Sequence, residues 1–190
     1  MTTPTDTDSD VARYERLCRE KAEAELAAAD GLVPGSDRVR SVGDALAEIV
    51  LVKGSPGPED RTAGRVLAGP DGEAAAKALD ALGLPAERYA VCSRPGRGSR
   101  SAGIGRLALV IESVDPALVI ALDTEAAADV AKALGEARLV AGRPTRIRGR
   151  TVLAIDGLEA SLGDERLKRR VWRQLRTLVR PVAETNGGRP

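Results

Sequence analysis

Four short apolar runs, alternating with segments of helical character, constrain this chain more than any other feature. They are Ala47-Glu48-Ile49-Val50-Leu51-Val52, Arg88-Tyr89-Ala90-Val91-Cys92, Ala117-Leu118-Val119-Ile120-Ala121-Leu122 and Thr151-Val152-Leu153-Ala154-Ile155. None has the strict alternation of a strand with one wet face, so each predicts a strand covered on both sides. The segments 71–82, 107–114 and 124–134, rich in Ala and Leu, read as helices. Such strand–helix units predict an α/β fold, a three-layer α/β/α sandwich around a central parallel sheet.

The remaining segments fit around that frame. Residues 10–30 carry Val11, Tyr14, Leu17, Cys18 and Leu26 at helical spacing. Residues 31–43 form a connector, and 144–150 with 151–155 read as a hairpin-like pair. The last helix, over 164–179, has an apolar stripe of Leu167, Val171, Leu175 and Leu178, with Asp164 at its N-cap. The polar ends 1–9 and 183–190 are expected to be disordered, leaving one domain over 10–182. Ligands of such sheets bind beyond the strand C-termini. That places 54–69, 92–98, 123–124 and the turn after Ile155 on one rim.

Composition narrows the chemistry. The chain has no His, which removes imidazole general bases, His-containing triads and His metal ligands. Cys18 and Cys92, its two cysteines, are too few for a disulfide framework or a four-thiolate metal site, and both read as small buried hydrophobes. No cofactor or metal is expected. The 29 basic and 28 acidic side chains nearly cancel, so any attraction to nucleic acid must be local. No signal-like or membrane-spanning apolar run occurs, and a soluble cytoplasmic protein without membrane contact is expected.

Several motifs bear on the rim. Gly54-Ser55-Pro56-Gly57-Pro58-Glu59-Asp60 follows a strand, as a phosphate-cradling loop does, but it lacks the glycine spacing of the dinucleotide fingerprint and the Lys-Ser/Thr ending of a P-loop. Glu59 and Asp60 read as a solvated pair beside a turn rather than as an acid–base couple. Arg94, Arg97, Arg100 and Arg106 lie in or near a Gly/Ser loop, within reach of phosphates. Between 143 and 180, eleven basic side chains face four acidic ones, a local net of +7 that fits either a solvated helix face or an anion-binding one. Without aromatic interleaving, a base-stacking platform is disfavoured.

The order of these segments resembles the uracil-DNA glycosylase superfamily, most closely its iron–sulfur-containing bacterial and archaeal branch. The strongest match is Pro56-Gly57-Pro58-Glu59-Asp60-Arg61-Thr62-Ala63-Gly64-Arg65-Val66-Leu67-Ala68-Gly69-Pro70-Asp71-Gly72, similar to the family's Pro-Gly, acidic and Gly-Arg-Pro-Phe-Val-Gly stretch. Tyr89-Ala90-Val91-Cys92-Ser93-Arg94-Pro95 resembles the Asn-x-x-Lys-Cys-Arg-Pro segment, and 115–123 the Pro-x-Val-Ile-x-Leu-Gly strand. Leu167-Lys168-Arg169-Arg170-Val171-Trp172 resembles the helix after the His-Pro-Ser loop. The resemblance spans about Cys18 to Arg180 and implies the same layered fold.

The resemblance also implies which parts are missing. The water-activating acid falls on Gly54, the uracil-stacking Phe on Leu67, the base-reading Asn on Tyr89 and the catalytic His on Gly157, beside Asp156. Pro56, Gly57, Leu67 and Tyr89 would line the base pocket. Of the cluster cysteines, Cys18 matches one, Lys21 stands near a second, Ser93 replaces a third and the region of Gly103 lacks the fourth, so no iron–sulfur cluster is expected. Glycosidic cleavage needs a held base and a stabilised leaving group. The expectation is a catalytically degenerate relative that binds DNA, through Arg94, Arg97 and Arg100, or a repair or replication protein. The alternative is a divergent glycosylase or nucleoside-cleaving hydrolase using Asp156 as a relocated carboxylate.

Overall fold

In the computed structural model, described for residues 6–33, 35, 38–96 and 99–179, the chain folds as alternating helices and strands. In order these are α1 (Asp6–Gly31), β1 (Val42–Gly43), β2 (Ile49–Lys53), α2 (Pro58–Ala63), α3 (Pro70–Ala81), β3 (Arg88–Cys92) and α4 (Arg100–Val114). There follow β4 (Leu118–Ala121), α5 (Thr124–Leu134), β5 (Thr145–Ile147), β6 (Arg150–Ala154), α6 (Leu158–Ser161) and α7 (Glu165–Leu175), which runs into a 3-10 turn at Arg176–Leu178.

All four apolar runs enter one sheet of order β1-β3-β2-β4-β6-β5. The inner strands β3, β2, β4 and β6 are parallel, whereas the edge strands β1 and β5 are antiparallel. The central parallel sheet expected from the sequence is thus present, with an antiparallel strand added at each edge. The edges arise from the connector, which lays Val42 opposite Ala90, and from the predicted hairpin, which pairs Ile147 with Arg150.

Side-chain alternation divides the core in two. Val50, Val52, Val91, Val119 and Val152 face α1, α4 and α5 through Leu26, Leu107, Ile111 and Val130. Ile49, Leu51, Ile120 and Leu153 face α3, α6 and α7 through Leu79, Leu158, Val171 and Leu175. Strands buried on both faces explain the unbroken apolar runs, and the three-layer α/β/α arrangement follows. Among the described residues no helix is long and apolar enough to cross a membrane.

Some boundaries differ from the sequence reading. The first helix begins at Asp6, inside the stretch expected to be disordered; residues 1–5 and 183–190 lie outside the described residues. Helix α4 begins at Arg100, earlier than the apolar pattern suggested, because Ser99 caps it by accepting from the Ala102 amide at 3.1 Å. The segment after Gly57 is a short helix, α2, and not an open loop. Asp164 caps α7 as expected, accepting from the Arg166 and Leu167 amides.

Candidate functional site

The chain leaves β2 for β3 on one side of the sheet and crosses back to β4 on the other. The crevice between the loops after β2 and β4 is where an open α/β sheet takes a ligand. Here its Gly54 end is occupied by protein, while the remainder stays open between Ser55, Asp123 and Glu125. Asp123 follows β4 and caps α5 by accepting from the Ala126 amide at 2.8 Å, while its other oxygen accepts from the Gly54 amide at 2.8 Å. A Cβ on Gly54 would stand 2.5 Å from the Glu125 Cβ and 2.7 Å from Asp123 Oδ1, so this position has no room for the family's acidic side chain. Gly157 adopts φ +152°, a conformation that side chains rarely take.

Beneath the rim lies a buried charge cluster that the sequence reading missed. Lys53 ends β2 and is only 4% exposed; its Nζ donates to Asp60 at 2.7 Å and to Asp71 at 2.6 Å, and pairs with Glu159 at 2.8 Å. Asp60 also accepts from the Gly57 and Ala68 amides, each at 2.9 Å, which stitches the chain on both sides of α2 to the sheet. Asp60 is therefore not the solvated partner of Glu59. The two face opposite ways: Glu59 is exposed and Asp60 is buried. Burial alone would push the Asp60 carboxyl up, but the Lys53 ammonium and the two amides outweigh it and hold the carboxyl below its ordinary value. Burial likewise opposes the Lys53 charge, and the surrounding carboxylates override it to keep the ammonium above its ordinary range. The legible signal was a lysine closing an otherwise apolar strand.

A second buried carboxylate orders the arginine loop. Asp129, on α5 and 1% exposed, accepts from Arg94 Nε at 2.8 Å, Arg100 Nε at 3.0 Å and Ser93 Oγ at 2.8 Å. Arg94 also reaches Glu125 at 2.5 Å. These donors overcome the burial that would otherwise raise the Asp129 carboxyl and hold it below its ordinary value. Two of the three arginines assigned to DNA are thus engaged with acidic side chains; Arg97 lies outside the described residues. Arg106 is fully buried instead of reaching a phosphate, donating to Asp30, to the Cys92 carbonyl at 3.0 Å and to Ser41 Oγ at 2.7 Å.

The four residues assigned to a base pocket do not converge. Leu67 packs against the core on the α3 side, whereas Tyr89, buried near the start of β3, belongs to the core on the α1 side. The sheet itself separates them. Pro56 lines a cleft of about 710 Å³ with Arg61, Arg94 and Arg100, and Gly57 approaches the Lys53 cluster. A second cleft, about 490 Å³, is lined by Asp71, Asp123, Asp156 and Glu159. Asp156 is held from behind, accepting from Gln174 Nε2 at 2.9 Å and Arg170 at 3.4 Å. Among the described residues, no three acidic or thiol side chains are arranged to hold a metal ion. Cys92 is buried and Cys18 half-exposed.

The strongest uncommitted charge lies on α7. Arg166, Arg169, Arg170 and Arg173 follow i, i+3, i+4, i+7 spacing, which puts them on one face opposite the buried Val171 and Leu175. All four are exposed, and with Trp172 they line a groove of about 540 Å³. Among the described residues, only Arg170 of the four has an acidic partner, Asp156. An aromatic ring does therefore stand among the basic side chains. No family model matches this chain, and no curated protein does.

Proposed function

We propose that this chain is a uracil-DNA glycosylase-like module that has lost base excision and holds nucleic acid through phosphate contacts to α7. The observation that carries this reading is the four-arginine stripe. Its members form four like-charge pairs at i+3 or i+4 spacing, each destabilising the helix by roughly 0.2–0.5 kcal/mol, or about 1–2 kcal/mol together. A surface that works against its own helix is better accounted for by an anionic partner than by folding. The stripe rises roughly 10 Å along the axis, enough to span several phosphates of one strand. The loss of excision rests on the lack of room for an acidic side chain at Gly54, the backbone at Gly157 and the separation of Leu67 from Tyr89.

Fluorescence anisotropy with labelled single- and double-stranded DNA across a salt series tests the reading. Three or four phosphate contacts give a slope of log affinity against log salt near about −3 for duplex. Arg166→Gln with Arg173→Gln should flatten that slope by about 2. Salt-independent binding, or none, would refute it.

A second reading, a hydrolase with a relocated carboxylate, draws on the 490 Å³ cleft that Asp156 lines. Release of a free base from a panel of nucleosides and damaged DNA, abolished by Asp156→Ala, would favour it over the first.

A further inference from the structure

Between α3 and α7, with α6 closing one end, runs a groove of about 420 Å³ with an apolar floor and basic walls. We propose that it docks an acidic amphipathic helix of a partner protein. Helix α3 supplies Ala74, Ala78 and Ala81 at i, i+4, i+7 spacing, a floor of small side chains that leaves space for larger ones. Helix α7 supplies Val171, Trp172 and Leu175 opposite. Trp172 and, on the α6 side, Leu162 stay 37% and 40% exposed, large apolar surfaces bordering one groove. An incoming helix meets such a groove with apolar anchors at i, i+3, i+4 and i+7.

Charge selects the occupant. Lys77 tops the α3 wall and Lys168 and Arg169 the α7 wall, against a single acid, Glu165. The pairs Lys77–Glu73 at 3.5 Å and Lys168–Glu165 at 3.4 Å are exposed and long, so both ammonium groups remain available to a partner. A second copy docking through its own α7 would bring its arginine stripe against these cations, which is repulsive. Nucleic acid would meet alanine and leucine where it needs donors. Arg169 and Trp172 border both grooves, but Lys77, Ala78 and Leu162 lie off the arginine stripe, so the two proposals can be tested apart.

Trp172 is the only tryptophan of the chain and borders both grooves, so its emission reports occupancy and the variants below assign it to one of them. The probe is a capped synthetic peptide of about 16 residues, long enough to turn helical, with Leu at the four anchor positions and Glu at most others. A control peptide replaces each Glu by Lys. The expected result is a saturable blue shift with the Glu peptide and about tenfold weaker binding of the Lys peptide. Leu162→Asp and the pair Lys77→Glu, Lys168→Glu should each weaken it by about tenfold at unchanged far-UV circular dichroism. Arg166→Gln with Arg173→Gln should keep peptide binding while weakening DNA binding and flattening its salt slope, which separates this proposal from the previous one. Equal binding of both peptides, no saturable shift, or a shift that follows the protein's own concentration without peptide would overturn it; the last would assign the groove to a second copy.

Discussion

Replacing Lys53 by Met tests the electrostatic centre of the rim. Lys53 Nζ has three carboxylates within 2.8 Å, and their fates on its removal differ. Glu159 is half exposed and returns to water. Asp60 keeps the Gly57 and Ala68 amides. Asp71, 5% exposed, loses the one hydrogen bond its side chain makes among the described residues. Removing one partner of a buried pair typically costs about 3–5 kcal/mol. With one carboxylate stranded and two compensated, the lower end applies, about 3 kcal/mol. For a chain of this size that lowers Tm by roughly 6–12 °C.

Urea unfolding followed by far-UV circular dichroism at pH 7 measures the loss. Lys53→Met with Asp71→Leu should recover part of the loss. A loss below about 1 kcal/mol, or no recovery in the double variant, would refute the view that these charges are buried and interdependent.

The parent chain should lose stability in acid, because Asp60, Asp129 and Glu112 all titrate lower in the fold than when free. The unfolded chain then binds more protons below about pH 4, so stability present above that value falls as pH drops through the folded-state titrations; a pH series of urea midpoints checks it. Arg106→Leu should cost roughly 2–3 kcal/mol and raise hydrogen exchange in α1, since Arg106 bridges Asp30 to the Cys92 carbonyl and Asp30 is only partly buried. Thiol titration of the native protein should find Cys18 reactive and Cys92 silent until unfolding, because burial pushes the Cys92 thiol up to about 12; rapid reaction of both would contradict its placement.

How far the sequence carries the fold can be judged strand by strand. The runs ending at Val52, Cys92, Leu122 and Ile155 all became neighbouring strands, because short apolar runs rich in β-branched residues and bounded by turn residues suit a sheet covered on both faces. The capping residue of α7, Asp164, was equally legible, since capping is settled within one turn of chain. Short-range chemistry of this kind needs no knowledge of what packs where.

Burial of charge was different. Asp60, Asp129, Arg106 and Lys53 look like surface residues in the sequence, and each became buried because a partner on another element neutralised it: 7 positions away for Asp60 with Lys53, 18 for Lys53 with Asp71, 35 for Arg94 with Asp129, 76 for Arg106 with Asp30. The same long-range packing put Leu67 and Tyr89 on opposite faces and tied the Gly54 amide to Asp123, 69 positions on. Composition and periodicity determined the layers and the basic stripe of α7, which are sums over neighbouring residues. Only the tertiary structure decided which charges are engaged and which face outward, because pairing depends on distances between segments that the linear order does not encode.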